Sequence, residues 1–194
     1  MRFMVLVKAN MEIQASRARA RVGPTGAPIL LLEQNRARWD HMLIRRGLAA
    51  LERAETLGGA LGSCAPQAAL ADCHARARTA EDTNWARIAS LYDALAGITS
   101  SPVVELNRAV AHAMVFGPAA GLVLVDRLTS EPSLKCYHLL PSVRGDFLSK
   151  LGRLDEARRE FERAASLIRN ERERTLLLDR ARTCGGDATA GEAM

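Results

Sequence analysis

Residues Arg144 to Leu167 read RGDFLSKLGRLDEARREFERAASL, and this stretch predicts two helices folded back on each other as a hairpin. Gly145 lies on the first helix and, lacking a side chain, lets a second helix approach closely. Gly152 permits the left-handed conformation that ends the first helix. The second helix then carries an apolar stripe at helical spacing, made by Ala157, Phe161, Ala164 and Leu167. Such spacing is typical of packing, not of catalysis.

A second hairpin of the same kind is predicted upstream, where the chain reads PVVELNRAVAHAMVFGPAAGLVLVDRL from Pro102. Ser101 suits the N-cap, where its hydroxyl is expected to accept from a free backbone N–H, and Pro102 suits the first helical turn. Gly117 ends the helix before Pro118 begins the next. Gly117 and Gly152 are 35 positions apart, close to the tetratricopeptide (TPR) period of about 34 residues. The alternative for this copy is an ordinary helical bundle, in which glycines also separate helix pairs.

The composition favours helix throughout the chain. The 194 residues are 48% hydrophobic but only 4% aromatic, and they are rich in alanine, leucine and arginine, which lose little on entering a helix. We therefore expect an all-α fold of antiparallel helix pairs in a TPR-like, right-handed array. Further helices are expected at about residues 11–21, 38–57, 66–78, 82–95 and 170–182.

Three segments are expected along the chain: an uncertain leader over residues 1–10, a helical domain over 11–183 and a disordered tail over 184–194. Thr79 followed by Asp82 resembles a capping box at the start of the 82–95 helix. Apolar stripes are expected on these helices, and the one on the 38–57 helix comprises Met42, Leu43, Leu48, Leu51 and Ala54. Trp85 is expected to pack in the core.

The remaining side chains do not indicate chemistry. The four cysteines lack the close pairs of a zinc site, and the four histidines are scattered, so neither an enzyme nor a metal or cofactor site is expected. The net charge of +5 is compatible with an acidic partner. The arginines form small groups, such as Arg36 with Arg38 and Arg76 with Arg78, but no sustained basic run, so direct DNA binding is not indicated. No segment resembles a signal peptide or a membrane span, which predicts a cytoplasmic protein.

Five ordered blocks resemble the C-terminal extension of a group of bacterial extracytoplasmic-function (ECF) RNA polymerase sigma factors. They are LLLEQNRARWDHMLIRRGLAALERA (30–54), QAALADCHARA (67–77), DTNWARIASLYDAL (82–95), SPVVELNRAVAHAM (101–114) and YHLLPSVRGDFLSKLGRLDEA (137–157). The resemblance implies a TPR-like domain that influences sigma activity through protein contacts. The implied partners are the sigma regions of the parent factor or the RNA polymerase core.

Sigma regions 2 and 4, which read the promoter in that family, have no counterpart before Met11. The chain therefore resembles a fragment or a truncated product, and we expect that it does not direct transcription by itself. The first residues, MRFMVLVKA, resemble the opening strand of the small YCII-related proteins. That similarity would indicate a fused or displaced start; otherwise the segment simply leads into the first helix.

The candidate interaction residues are Arg36, Arg38, Trp39 and Asp40, because arginine, tryptophan and aspartate together can make bidentate ion pairs and a large contact. The alternative is an internal Arg–Asp pair with Trp39 packed in the core. For the whole chain, the leading hypothesis is a regulatory interaction domain of an ECF sigma factor. The alternative is a free-standing TPR-like adaptor that binds a peptide or a small ligand.

Overall fold

All regular secondary structure in the described part of the chain is helical. In the computed structural model it comprises residues 20, 23 and 29 and the stretches 33–56 and 64–185, and none of these residues lies in a strand. The helices are α1 (His41–Thr56), α2 (Cys64–Arg76), α3 (Trp85–Ile98), α4 (Pro102–Phe116), α5 (Pro118–Leu128), α6 (Leu139–Lys150), α7 (Leu154–Leu167) and α8 (Glu171–Gly185), with short 3-10 turns at Arg36–Arg38 and Pro132–Leu134. The predicted all-α class is confirmed.

The chain divides into two compact units, with the division between Ser100 and Ser101. Unit 1 contains α1, α2 and α3, and its best-packed pair is α2 with α3. Unit 2 contains α4 to α8, and each of these helices packs against the next one along the chain. This order of neighbours is the consecutive array that the repeat spacing predicted.

The α6–α7 hairpin has the packing expected of it. Phe161 on α7 is 1% exposed and lies against Gly145 on α6, where an added Cβ would meet the Phe161 ring at 2.9 Å. After α6, Gly152 has a φ of +75°. The N–H of Arg153 donates to the carbonyl of Leu148 at 2.9 Å, which together with the Gly152 N–H forms the hydrogen-bond pattern of a Schellman cap.

The α4–α5 hairpin turns at Gly117, which has a φ of +89° and directly precedes Pro118 at the start of α5. Ser101 occupies the N-cap position of α4, but its side chain makes no capping hydrogen bond, so the expected role of its hydroxyl was wrong. Proline at the first position has no N–H to satisfy, which lessens the need for a cap. Gly121 on α5 is also tightly enclosed, since a Cβ there would lie 2.6 Å from the Ala113 Cβ.

Ion pairs tie the helices of unit 2 together. Arg144 on α6 reaches Asp126 on α5 and Glu160 on α7, each at 2.8 Å. Burial opposes the charge of Arg144, but these two carboxylates hold its pKa above the usual value. Arg180 on α8 hydrogen-bonds Asp146 on α6. Four consecutive helices, α5 to α8, are therefore linked by charged side chains as well as by the apolar core.

The first helix that the structure describes in unit 1 begins later than the sequence pattern predicted. Residues Arg36–Arg38 form a 3-10 turn, and α1 runs from His41 to Thr56. The buried face of the helix includes Ile44 and Leu51, each 6% exposed, whereas Met42 is 63% exposed. The assignment of Met42 to the apolar stripe was wrong.

The start of α3 differs in a similar way. Thr79 and Asp82 do bond reciprocally, with the Asp82 N–H donating to Thr79 Oγ1 at 3.2 Å and the Thr79 N–H donating to Asp82 Oδ2 at 3.0 Å. The helix itself, however, begins at Trp85, where Asn84 Oδ1 caps it by accepting from the Arg87 N–H at 2.9 Å. The Thr79–Asp82 pair therefore closes the preceding loop instead of starting the helix.

The last helix is longer than expected. α8 continues to Gly185, and Cys184 is 7% exposed, so the helical region passes the expected boundary at residue 183. Residues 186–194 of the expected tail, the expected leader over 1–10 and nearly all of the helix expected at 11–21 lie outside the described residues.

Candidate functional site

The four candidate interaction residues lie together at the entrance to α1, but they differ in exposure. Arg36 is 5% exposed and Trp39 is 4% exposed, whereas Arg38 and Asp40 are exposed. Trp39 packs in a small apolar cluster with Ala20 and Ile44. In this arrangement only Arg38 and Asp40 present their side chains to a partner.

Arg36 binds the C-terminal end of α2 and the loop that follows it. Its guanidinium donates three hydrogen bonds, to the carbonyl oxygens of His74 at 3.3 Å and Ala77 at 3.0 Å and to Oγ1 of Thr83 at 2.8 Å. The guanidinium carbon also lies 5.0 Å from the centre of the Trp39 ring. Because the last carbonyls of a helix have no intrahelical partner and carry partial negative charge, a cation suits this position.

The compensation of the Arg36 charge comes from backbone dipoles. Among the described residues, no carboxylate lies within ion-pair distance of it. Burial lowers the pKa of Arg36, and the charge of Asp82 opposes that shift. Asp40 instead caps α1, since its Oδ1 accepts from the N–H groups of Met42 at 3.0 Å and Leu43 at 3.1 Å. The structure thus packs Trp39 inside without forming the internal Arg–Asp pair.

The hydrogen bonds of Arg36 fix the loop between α2 and α3. Ala77 and Thr83, which accept from Arg36, are 8% and 5% exposed and mark the two ends of this loop. The Thr79–Asp82 bonds close it from within. The loop therefore has a defined shape, which is required of any loop that presents side chains to a ligand.

A cavity of about 420 Å³ lies beside this loop. It is formed by the last turns of α2, the loop and the first turn of α3. Its lining residues are Asp72, Cys73, Arg76, Ala77, Arg78, Asp82, Asn84 and Arg87. Three of them are arginines and two are aspartates, so the formal charge of the lining is +1.

The carboxylate of Asp72 lies on the inner wall of the cavity, with its side chain 4% exposed. It accepts a hydrogen bond from Arg76 Nε at 2.5 Å and lies 3.9 Å from Arg87 Nη1. Arg76 also contacts Glu52 at 3.5 Å, and the hydrogen bond with Asp72 is the main reason that the pKa of Arg76 is raised. Arg76 is therefore engaged with two carboxylates of unit 1.

The other two arginines are less engaged. The side chain of Arg87 is 54% exposed, and its contact with Asp72 is long. Arg78 is exposed and makes neither a hydrogen bond nor an ion pair within the part of the chain that the structure describes. Cys73 lies on the floor, 6% exposed, and burial raises the pKa of its thiol although the nearby Arg87 opposes this. Among the three arginines of the lining, Arg78 and Arg87 are thus the ones least engaged by other groups of the protein.

Sequence reasoning noted Arg76 and Arg78 as a group but did not place them in a cavity. The available signal was the Thr79–Asp82 capping pair directly after them, which indicates an ordered loop. Trp85 was expected in the core, and it is half-buried with its ring edge-on to His74, 5.6 Å between ring centres.

The described residues contain neither a metal-binding cluster nor a membrane-spanning helix. Within stretches 33–56 and 64–185, no group of three or more histidine, cysteine, aspartate or glutamate side chains is arranged to hold a metal ion. None of the helices found there combines the length and the apolarity that crossing a bilayer requires.

The described residues define an all-helical fold whose neighbouring helices pack against each other within each unit, with an arginine-lined cavity in unit 1. Residues 6–55 match a family described as a family of unknown function (DUF6596). Over 170 residues the chain is 41% identical to an uncharacterized protein of Rhizobium meliloti (strain 1021). The alignment covers 88% of this chain and 40% of that protein, so the chain spans about two fifths of its relative's length. No solved structure matches the chain significantly.

Proposed function

We propose that this chain is a regulatory protein-interaction domain of an ECF RNA polymerase sigma factor. It acts on transcription initiation through contacts with the sigma regions of the parent factor or with the RNA polymerase core, not by reading a promoter. Under this proposal the protein acts in the cytoplasm and catalyses no reaction. It begins from the five ordered sequence blocks that resemble the C-terminal extension of those factors.

The observation that carries the proposal is the consecutive packing of α4 to α8. In such an array each helix buries one face against its neighbours and leaves another face free along the length of the array. The α4–α5 hairpin leaves large apolar side chains exposed, including Phe116 at 65% and Val123 at 55%. Exposed apolar groups of this size favour a protein contact.

The length of the relative supports the same proposal. The aligned region is 40% of the Rhizobium meliloti protein, so most of that protein lies outside it. A region of this kind within a longer polypeptide suits an accessory domain that acts on the rest of the chain. The remainder of the relative is then the first partner to test.

The experiment uses the full 194-residue chain, tagged and immobilised, with the purified remainder of the relative checked for folding by circular dichroism. We expect the chain to retain the remainder or the core polymerase. In a second assay, the full-length relative is added to core polymerase and promoter-specific transcripts are measured, with and without the aligned region. If the full-length relative supports no initiation, the sigma-factor proposal is wrong; if neither protein is retained, the regulatory contact is wrong.

The alternative function is a free-standing adaptor. The cavity beside the α2–α3 loop favours it, because a concavity of about 420 Å³ is in the range of ligand sites. The adaptor is favoured if the chain retains a peptide or a small ligand but binds neither the relative's remainder nor the core polymerase.

A further inference from the structure

We propose that the cavity in unit 1 receives a carboxylate side chain from an acidic segment of the protein partner, and that Arg78 and Arg87 bind it. This inference rests on the proposed interaction function and gives it a contact site and a partner chemistry. The bound group would make charge-assisted hydrogen bonds with the two guanidinium groups, the geometry in which arginine recognises carboxylates best.

Some charged groups of the cavity already have partners within the protein, and others do not. The Asp72 carboxylate is buried and bonded to Arg76, and Asp82 accepts from the Thr79 N–H. Arg78 has no carboxylate partner among the described residues, and Arg87 has only the 3.9 Å contact with Asp72. The cavity therefore presents positive charge that its own acidic residues leave available.

The backbone that carries the two arginines is held in place by buried residues and hydrogen bonds. The floor of the cavity is buried, with Asp72 at 3% and Cys73 at 6% exposure. Arg36 holds the loop that carries Arg78, and the Asn84 cap fixes the first turn of α3, which carries Arg87. Both arginines thus project from ordered backbone, which lowers the entropic cost of binding.

The charge and the residue types of the lining distinguish the classes of anion that could bind. The formal lining charge of +1 balances one carboxylate but not a phosphate dianion, whose doubled charge Asp72 and Asp82, which face the same cavity, would repel more strongly. A nucleic acid would need a longer basic surface with aromatic side chains for base stacking. The lining residues include no aromatic ring. The arrangement therefore fits an acidic protein segment best.

The test is a titration of the full chain with a fluorescein-labelled peptide of alternating glutamate and alanine, followed by fluorescence anisotropy at low salt. The same peptide with glutamine in place of glutamate and inorganic phosphate as competitor are the comparison arms. We expect the glutamate peptide to bind and the glutamine peptide to bind at least about 5-fold more weakly, as expected for one or two partly exposed ion pairs.

Matched arginine variants locate the contact. Arg78→Gln and Arg87→Gln should each raise the Kd about 5-fold. Arg159→Gln removes the same charge at an exposed position on α7 and should leave the Kd nearly unchanged.

Alkylation provides an independent readout, because the bound peptide should slow the reaction of Cys73 on the cavity floor. The exposed Cys136 should react at an unchanged rate in the same sample.

Three results would overturn the inference. They are equal binding of the two peptides, an Arg159→Gln effect as large as that of the cavity variants, and displacement of the peptide by phosphate at micromolar concentration, which would assign the cavity to a small anion. The capture assay separates this inference from the proposed function. If the double variant at Arg78 and Arg87 is still retained by the partner, the cavity inference fails alone; if the unsubstituted chain is not retained, the proposed function fails, and the peptide titration still decides the cavity.

Discussion

Replacing Gly145 by alanine tests the packing on which the α6–α7 hairpin depends. The new Cβ would lie 2.9 Å from Cε1, 3.0 Å from Cδ1 and 3.2 Å from Cζ of Phe161. The ring has little freedom to move, since it is 1% exposed and the guanidinium carbon of Arg180 lies 4.5 Å from its centre. Relief of the clash must therefore come from a shift of α6 relative to α7.

The expected cost follows from two opposing terms. Overpacking a filled core costs about 1–3 kcal/mol, whereas alanine in place of glycine within a helix gains about 0.5–1 kcal/mol. The net loss for Gly145→Ala is then roughly 1–2 kcal/mol. For a unit of this size that corresponds to a fall in Tm of about 5–10 °C.

Urea denaturation followed by circular dichroism, together with a thermal scan, measures the loss. Gly97→Ala is the matched control, because a Cβ at Gly97 on α3 meets no atom within 4 Å and stability should be unchanged or slightly higher. Phe161→Leu provides a second check, since it removes ring atoms that the new Cβ meets, so the double variant should lose less than the sum of the two single losses. If Gly145→Ala is as stable as the unsubstituted chain, the close approach of α6 and α7 is not what the structure indicates.

Three further predictions follow from single side chains. Gly121→Ala should destabilise more than Gly145→Ala in the same urea assay, because its Cβ would lie within 2.9 Å of three atoms, one of them a backbone oxygen; an equal or smaller loss would contradict this. Arg36→Met keeps the volume but removes three hydrogen bonds, so unit 1 should lose about 1–3 kcal/mol in urea denaturation, and unchanged stability would refute the role given to the guanidinium. Because the pKa of Cys73 is raised in the folded state, its contribution to stability is complete below the ordinary thiol pKa and is lost as the pH rises through the raised value. Cys73→Ala should therefore lessen the loss of stability that urea denaturation measures at alkaline pH, and an undiminished loss would contradict this.

Features that depend on local backbone geometry were predictable from the sequence. Gly117 and Gly152 both have the positive φ that their places after helices required. The stripe of Ala157, Phe161 and Ala164 is buried as its spacing predicted. Each of these features is encoded within a few neighbouring residues, so a single sequence suffices to identify it.

Features that depend on distant partners were not predictable in the same way. Arg36 reads as a surface cation, yet its acceptors lie 38 to 47 positions further along the chain. Met42 lies about 200° around α1 from the buried Ile44, and which of these two faces is buried depends on the segments that pack against the helix. The cavity likewise requires the folded loop, because Arg78 lies on the loop and Arg87 follows it on α3.

Arg36 was selected from the sequence as a candidate interaction residue. The structure shows that it is buried and holds the loop beside the cavity, which the sequence did not predict. Burying a guanidinium is costly unless its donors are satisfied, and an apolar side chain of similar volume often packs as well. Here Nη1 and Nη2 donate to Ala77 and Thr83, the two ends of the loop that carries Arg78, whereas the buried Nε has no hydrogen-bond partner among the described residues. The charge is therefore best explained as a positioning device: it fixes the loop from inside unit 1, while the arginine that binds the partner remains at the surface.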